Sequence, residues 1–186
     1  YITASKKSFL GEIKDKNIKQ IKADVAKPLK VKGSIDYVIH AAGLASPVYY
    51  QRFPLQTIEA AVFGAKNLLE VARLKKSKSF LFFSSSEIYG DPDPNFIPTP
   101  EVYKGNVSCV GPRACYEESQ RLAETLCTTH HQVYGVPAKI VRPFNIYGPG
   151  MNLFGPEVEV LVRWLDRIDA GLAPLVFSDG SQTLDY

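Results

Sequence analysis

Residues 79–86 read SFLFFSSS, an apolar run that stops abruptly in three consecutive hydroxyls. A short, nearly continuous apolar run is what a strand buried on both faces looks like. Upstream, 35–42 (IDYVIHAA) is a second apolar run, leaving through small residues, and downstream 138–148 (AKIVRPFNIYG) is a third. Between the first and second runs in chain order lies PLQTIEAAVFGAKNLLEVARLKK (54–76), where Leu55, Ile58, Val62, Leu69 and Ala72 fall near one helical stripe. The segment 90–100 (GDPDPNFIPTP) carries too much proline for a helix or a central strand and reads as a loop. A helix over 112–134 follows it.

The same alternation extends both ways. IKQIKADV (18–25) alternates apolar and polar residues as a half-buried strand does. EVEVLVRWLDRIDAG (157–171) reads as a helix closed by Gly171, and PLVFSDG (174–180) as a last strand. Strands alternating with helices predict an α/β fold, a doubly wound parallel sheet of Rossmann-like type covered on both faces. Ligands of such sheets bind outside the carboxyl ends of the strands. HAAG, SSSEIYG and RPFNIYGPG each close a predicted strand, so three polar exits converge on one expected cleft.

Composition narrows the function classes. The chain has 186 residues, 45% hydrophobic and 22% charged, ordinary for a globular domain with a sizeable core. No apolar run approaches the ~18–20 residues of a membrane span, and the first residues carry no signal-peptide pattern. The net charge of +3 is mild. The lysine-rich stretches at 14–32 and 73–79 lack interleaved aromatics, which argues against a nucleic-acid surface. Cys109, Cys115 and Cys127 form neither a C-x-x-C pair nor a zinc set, and their odd number argues against a disulfide framework. A reducing cytoplasm is the expected compartment. His130 and His131 are adjacent, so on a helix they diverge by about 100° and no metal site is expected.

From about residue 18 onward the chain resembles the extended short-chain dehydrogenase/reductase family, specifically its NAD-dependent sugar-nucleotide epimerases, dehydratases and decarboxylases. ADV, DYVIHAAGLASP, FFSSSEIYGDP, GPRACYEESQRLAETLC and RPFNIYGPGM carry the resemblance, in family order and spacing. HAAGLASP and GPRACYEES look closest to the UDP-glucuronate decarboxylase (UDP-xylose synthase) branch.

The resemblance implies a role for each matching position. Asp24 and Val25 match contacts to the adenine of NAD, and Ala41, Ala42 and Gly43 the strand exit lining the dinucleotide. Ser85 matches the hydroxyl that holds the reacting alcohol, Glu87 an acid/base and Tyr116 the catalytic base. Gln120 stands where the family carries the lysine that binds the cofactor ribose and favours the tyrosinate. Pro143 follows the nicotinamide wall. Ser86, Arg113 and Asn145 match substrate-side positions; Ser86 in place of a dehydratase aspartate favours decarboxylation. The implied ligands are NAD, with NADP left open, and a nucleotide-sugar. The implied assembly is a homodimer in which two helices per subunit, 54–75 and 112–134, form a four-helix bundle. Residues 1–150 are then a partial NAD(P)-binding domain and 151–186 the beginning of a substrate-binding portion.

Four departures from the family pattern bear on activity. Gln120 replaces the lysine, Ala61 a usual asparagine and Leu184 a usual arginine, and no G-x-x-G-x-x-G turn occurs. A chain lacking the first strand–helix unit and most of the substrate-binding portion is expected on this pattern. The lysine is the departure that can be sized: a unit charge at ~5 Å, at an effective dielectric of ~20, is worth about 3 kcal/mol, or roughly 2 pKa units. Two readings stay open: an NAD(P)-dependent sugar-nucleotide enzyme impaired in this 186-residue form, or a non-catalytic binding or oligomerisation module descended from one.

Overall fold

The computed structural model describes residues 15–148, 160–176 and 179–181. The chain divides into two compact units, Tyr1–Pro143 and Phe144–Tyr186.

The first unit is built on a parallel sheet of three strands in chain order: β1 (Tyr37–His40), β2 (Ser79–Phe83) and β3 (Ala138–Val141). A parallel pair cannot be joined by a tight hairpin, so helices make both crossovers. The first crossover runs through α1 (Pro47–Arg52), α2 (Pro54–Ile58), a π-helical turn at Glu59–Phe63 and α3 (Gly64–Lys75). The second passes two 3₁₀ turns, Ser86–Tyr89 and Pro94–Phe96, before α4 (Ala114–Tyr134). Proline opens both α1 and α2, where its missing N–H costs nothing. Gly135 ends α4 in the left-handed conformation, φ 68°, its N–H bonded to the His131 carbonyl.

One core holds these layers together. Val38, Phe80 and Phe82 point from the strands toward Ala65, Leu69 and Ala72 of α3 and Ala123 and Cys127 of α4. The alanines let the helices sit close to the sheet, and Phe80 and Phe82 fill the space between. The buried stripe of the first crossover is therefore Thr57, Ala61, Ala65, Leu69 and Ala72. That differs from the stripe read in the sequence: Leu55 and Ile58 lie on the exposed side, Leu55 with 68% of its surface open. The opposite face of β1 carries Tyr37 and Ile39, 67% and 61% exposed.

Two predicted strands are absent among the described residues. Residues 18–25 form no strand; Ile18 and Ile21 are exposed, and no neighbouring strand offers the segment a ladder. Residues 174–176 are likewise irregular. The second unit contains α5 (Val160–Asp169), inside the predicted 157–171, and its Trp164 indole N–H donates to the Leu175 carbonyl at 2.8 Å. Leu184 lies outside the described residues.

Candidate functional site

The site grows out of the carboxyl ends of β1 and β2. β1 ends at His40, and Ala41, Ala42 and Gly43 follow it as exposed small residues. Below that exit, His40 is 1% exposed, and neither ring nitrogen has a partner of good hydrogen-bond geometry among the described residues. Burial holds its pKa below 6.5, an effect softened by the nearby backbone of Ala61 and Ala60. A Cβ on Gly64 would come within 3.0 Å of the His40 ring and 3.3 Å of Val25, so the glycine lets strand, helix and the 25 loop meet. Val25 is fixed there by Asn67, whose amide donates to its carbonyl at 2.9 Å. Asp24, exposed beside it, accepts the Ala26 N–H at 3.0 Å.

β2 runs into the three serines. Ser84 is buried, its hydroxyl without a partner among the described residues. Ser85 has extended backbone and caps the following 3₁₀ turn, its Oγ accepting the Glu87 N–H at 3.2 Å. The Ser86 N–H donates to the Pro143 carbonyl at 3.0 Å, which ties the ends of β2 and β3 together. The turn projects Glu87 onto the start of α4, where it pairs with Arg113. Arg113 also pairs through Nε with Glu117, one turn along, at 3.1 Å. Burial raises the Glu117 pKa, and Arg113 opposes the rise.

On α4, Tyr116 and Gln120 sit one turn apart, 6% and 7% exposed. The Gln120 Oε1 is buried and has no partner among the described residues. Tyr50 of α1 stacks on Tyr116, centroids 5.2 Å apart and rings inclined by 11°. The Tyr50 hydroxyl is buried with no partner among the described residues, and burial raises its pKa. The sequence reading missed Tyr50, Ser84 and His40. A tyrosine ten residues past the end of β1, on a helix of six residues, has no periodicity to announce it.

The structure thus brings Ser85, Ser86, Glu87, Arg113 and Pro143 into one connected set at the strand ends. Tyr116 and Gln120 share the buried face of α4, whose first turn bears Arg113 as its cap. Asn145 belongs to the second unit. Ala61 lies buried in the π turn, and that turn packs on α4. A groove of about 470 Å³ lies elsewhere in the first unit, lined by Ile88, Val102, Tyr103, Arg121, Thr125 and Arg142 among others. It borders none of the candidate catalytic residues, and its arginines are already engaged. Arg142 holds Glu124 through two hydrogen bonds of 2.9 and 2.7 Å, and Arg121 holds the Ile88 and Lys104 carbonyls at 2.8 Å. Among the described residues no group of His, Cys, Asp and Glu could hold a metal ion.

The Ser84 and Tyr50 hydroxyls and the Gln120 amide oxygen are thus buried without partners among the described residues, where buried polar groups ordinarily have one. Residues 7–186 match the NAD dependent epimerase/dehydratase family. The chain belongs to that family. It is 37% identical to UDP-glucuronic acid decarboxylase 3 of Arabidopsis thaliana, over all of this chain and 52% of that protein. Among solved structures, it superposes on a UDP-N-acetylglucosamine 4-epimerase of Methanobrevibacter ruminantium with a TM-score of 0.70, at 30% identity over 86% of this chain and 48% of that one. A UDP-glucose 4-epimerase of Thermus thermophilus, solved in complex with NAD, gives a TM-score of 0.62 at 27% identity over 74% of this chain and 42% of that one. The chain spans about half the length of the curated relatives it matches.

Proposed function

We propose that the protein containing this chain is an NAD(P)-dependent enzyme that oxidises a nucleotide-sugar at C4, with UDP-glucuronate decarboxylation the favoured outcome. The observation that carries this reading is the set Ser85, Glu87, Tyr116 and Arg113, held by one 3₁₀ turn and the first turns of α4. Bound NAD or NADP would supply the hydride acceptor. The residues that would hold it are Ala41, Ala42 and Gly43 at the exposed strand exit, Asp24 and Val25 on the adenine side, Pro143 on the nicotinamide side, and Gln120, whose buried Oε1 would accept a hydrogen bond from a ribose hydroxyl. On this reading Ser85 holds the sugar alcohol and Tyr116 takes its proton. Glu87 serves as acid/base once the neighbouring ketone has formed, Ser86 and Arg113 face the sugar, and Asn145 contacts the nucleotide.

Gln120 limits this chemistry. Its amide forms hydrogen bonds but carries no charge to favour the tyrosinate, and the missing field is worth on the order of a hundredfold in rate. That deficit supports the second reading, a non-catalytic module that keeps the fold. The test compares the complete protein with its Gln120→Lys variant for NADH binding and UDP-glucuronate turnover. Turnover rising about a hundredfold with lysine supports the enzyme reading. NADH binding with no turnover in either form supports the module instead.

The assembly we infer is a homodimer through the helical face of 54–75 and α4, where Leu55, Ile58, Phe63 and Leu122 leave apolar surface exposed. Three free cysteines suit the reducing cytoplasm inferred for it. Among the described residues no helix is long and apolar enough to cross a membrane.

A further inference from the structure

Tyr50 meets the start of α4 at two separate points. Its carbonyl accepts from the Cys115 Sγ at 3.6 Å, and its ring stacks on that of Tyr116, the next residue along. The short helix that carries it is held at its head: the Tyr49 and Tyr50 N–H groups both donate to the Ser46 carbonyl, at 2.9 and 3.0 Å, and Pro47 opens the first turn. The surroundings of Tyr50 decide which part of it acts. Its hydroxyl has no partner among the described residues, so no hydrogen bond from that oxygen ties it to Tyr116. Burial favours the protonated phenol, with Arg113 opposing, so Tyr50 brings no charge to the pair. What it presents to Tyr116 is a ring face.

We propose that Tyr50 is a positioning residue for Tyr116: its ring, pinned to the start of α4, fixes the plane of the Tyr116 phenol and so the direction from which that oxygen meets the sugar alcohol. This deepens the enzyme reading above and rests on it. A tyrosine side chain turns about two torsions, and a nearly parallel stack, 11° and 5.2 Å between centroids, confines both. Proton transfer needs the two oxygens at hydrogen-bond distance, and a misplacement of ~1 Å costs on the order of a hundredfold. Alignment matters the more with glutamine at 120. No charge one turn along draws the phenol oxygen into place, so packing has to hold it.

The test separates the ring from the hydroxyl, and positioning from folding. UDP-glucuronate turnover and NADH binding would be measured on the complete protein, with and without Gln120→Lys, for Tyr50→Phe, Tyr50→Leu and Tyr116→Phe. Tyr50→Leu is expected to lower kcat by about tenfold or more, with KM and the number of NADH sites unchanged. Its solvent deuterium isotope effect on kcat should rise as proton transfer becomes limiting. Tyr50→Phe keeps the ring and should hold kcat within about threefold of the wild type. Equal losses in the two, or no loss in Tyr50→Leu, would overturn the proposal. So would a loss in Tyr50→Leu matched by fewer NADH sites, or one that leaves the isotope effect unmoved. Undiminished turnover in Tyr116→Phe, or none in any form even with Gln120→Lys, would instead overturn the enzyme reading, and the positioning role with it. Should Tyr50→Leu not fold, Tyr50→Met, nearer in length to tyrosine, carries the same expectation.

Discussion

His40 shows what a single side chain is asked to tolerate here. It ends β1 buried against α3 and Phe82, ring centroids 5.4 Å apart, with neither nitrogen well partnered among the described residues. Its folded-state pKa lies below the unfolded value of 6.5, because burial disfavours the imidazolium. Above pH ~6.5 the ring is neutral in both states and nothing is lost. As the pH falls below that, the unfolded chain binds a proton that the folded chain refuses, and stability declines by up to about 1.4 kcal/mol per pH unit until the folded pKa is passed. Urea midpoints measured between pH 7.5 and 5.5 should therefore drop more steeply for the wild type than for His40→Asn. Parallel curves would remove His40 as the cause. At this scale the legible part is position: Ser85 and Glu87 stand at the end of β2, and Arg113 and Tyr116 at the start of α4, within the motifs that carry the family resemblance. Tyr50 was not legible. Its importance comes from stacking on Tyr116 across 66 residues of chain, and no local pattern encodes such a contact.

At the scale of elements, the apolar runs located β1, β2 and β3 and the periodic runs located α2 to α5, while the short α1 went unread. Bounds moved by a few residues, as at 138–148, where the strand stops at Val141 because Arg142 turns aside to Glu124, Tyr89 and the Glu101 carbonyl. The alternation at 18–25 misled, since alternation describes a strand only when a neighbour supplies hydrogen bonds. The stripe through 54–76 misled for a different reason. The π turn at Glu59–Phe63 inserts a phase slip, so a stripe that is right at Leu69 and Ala72 of α3, followed back through the turn at 3.6 residues per turn, arrives at Leu55 and Ile58 of α2 instead of Thr57 and Ala61. With that slip Ala61 rather than Leu55 faces the core, and the larger apolar side chains are left outside.

At the scale of the molecule, that exposed row has a use. Leu55, Ile58, Phe63 and Leu122 give the proposed dimer its apolar contact, and Leu55→Asp with Leu122→Asp should convert the complete protein from dimer to monomer in sedimentation velocity. A monomeric wild type at micromolar concentration would discard the bundle. The sheet also leaves apolar surface open: Tyr37 and Ile39 of β1 are both largely exposed.

The core also contains its own reporter. Cys127 lies at 0% exposure between α4 and the sheet, and burial pushes its thiol up to about 12. A disulfide reagent at neutral pH meets neither an accessible sulfur nor a thiolate there, whereas Cys109 is open to it. Cys109 should therefore label at once and Cys127 only as often as α4 lifts from β2. The lag between the two is a clock for opening of the hydrophobic interior, obtained without adding any probe to the protein. Equal labelling rates would mean that α4 does not seal the sheet.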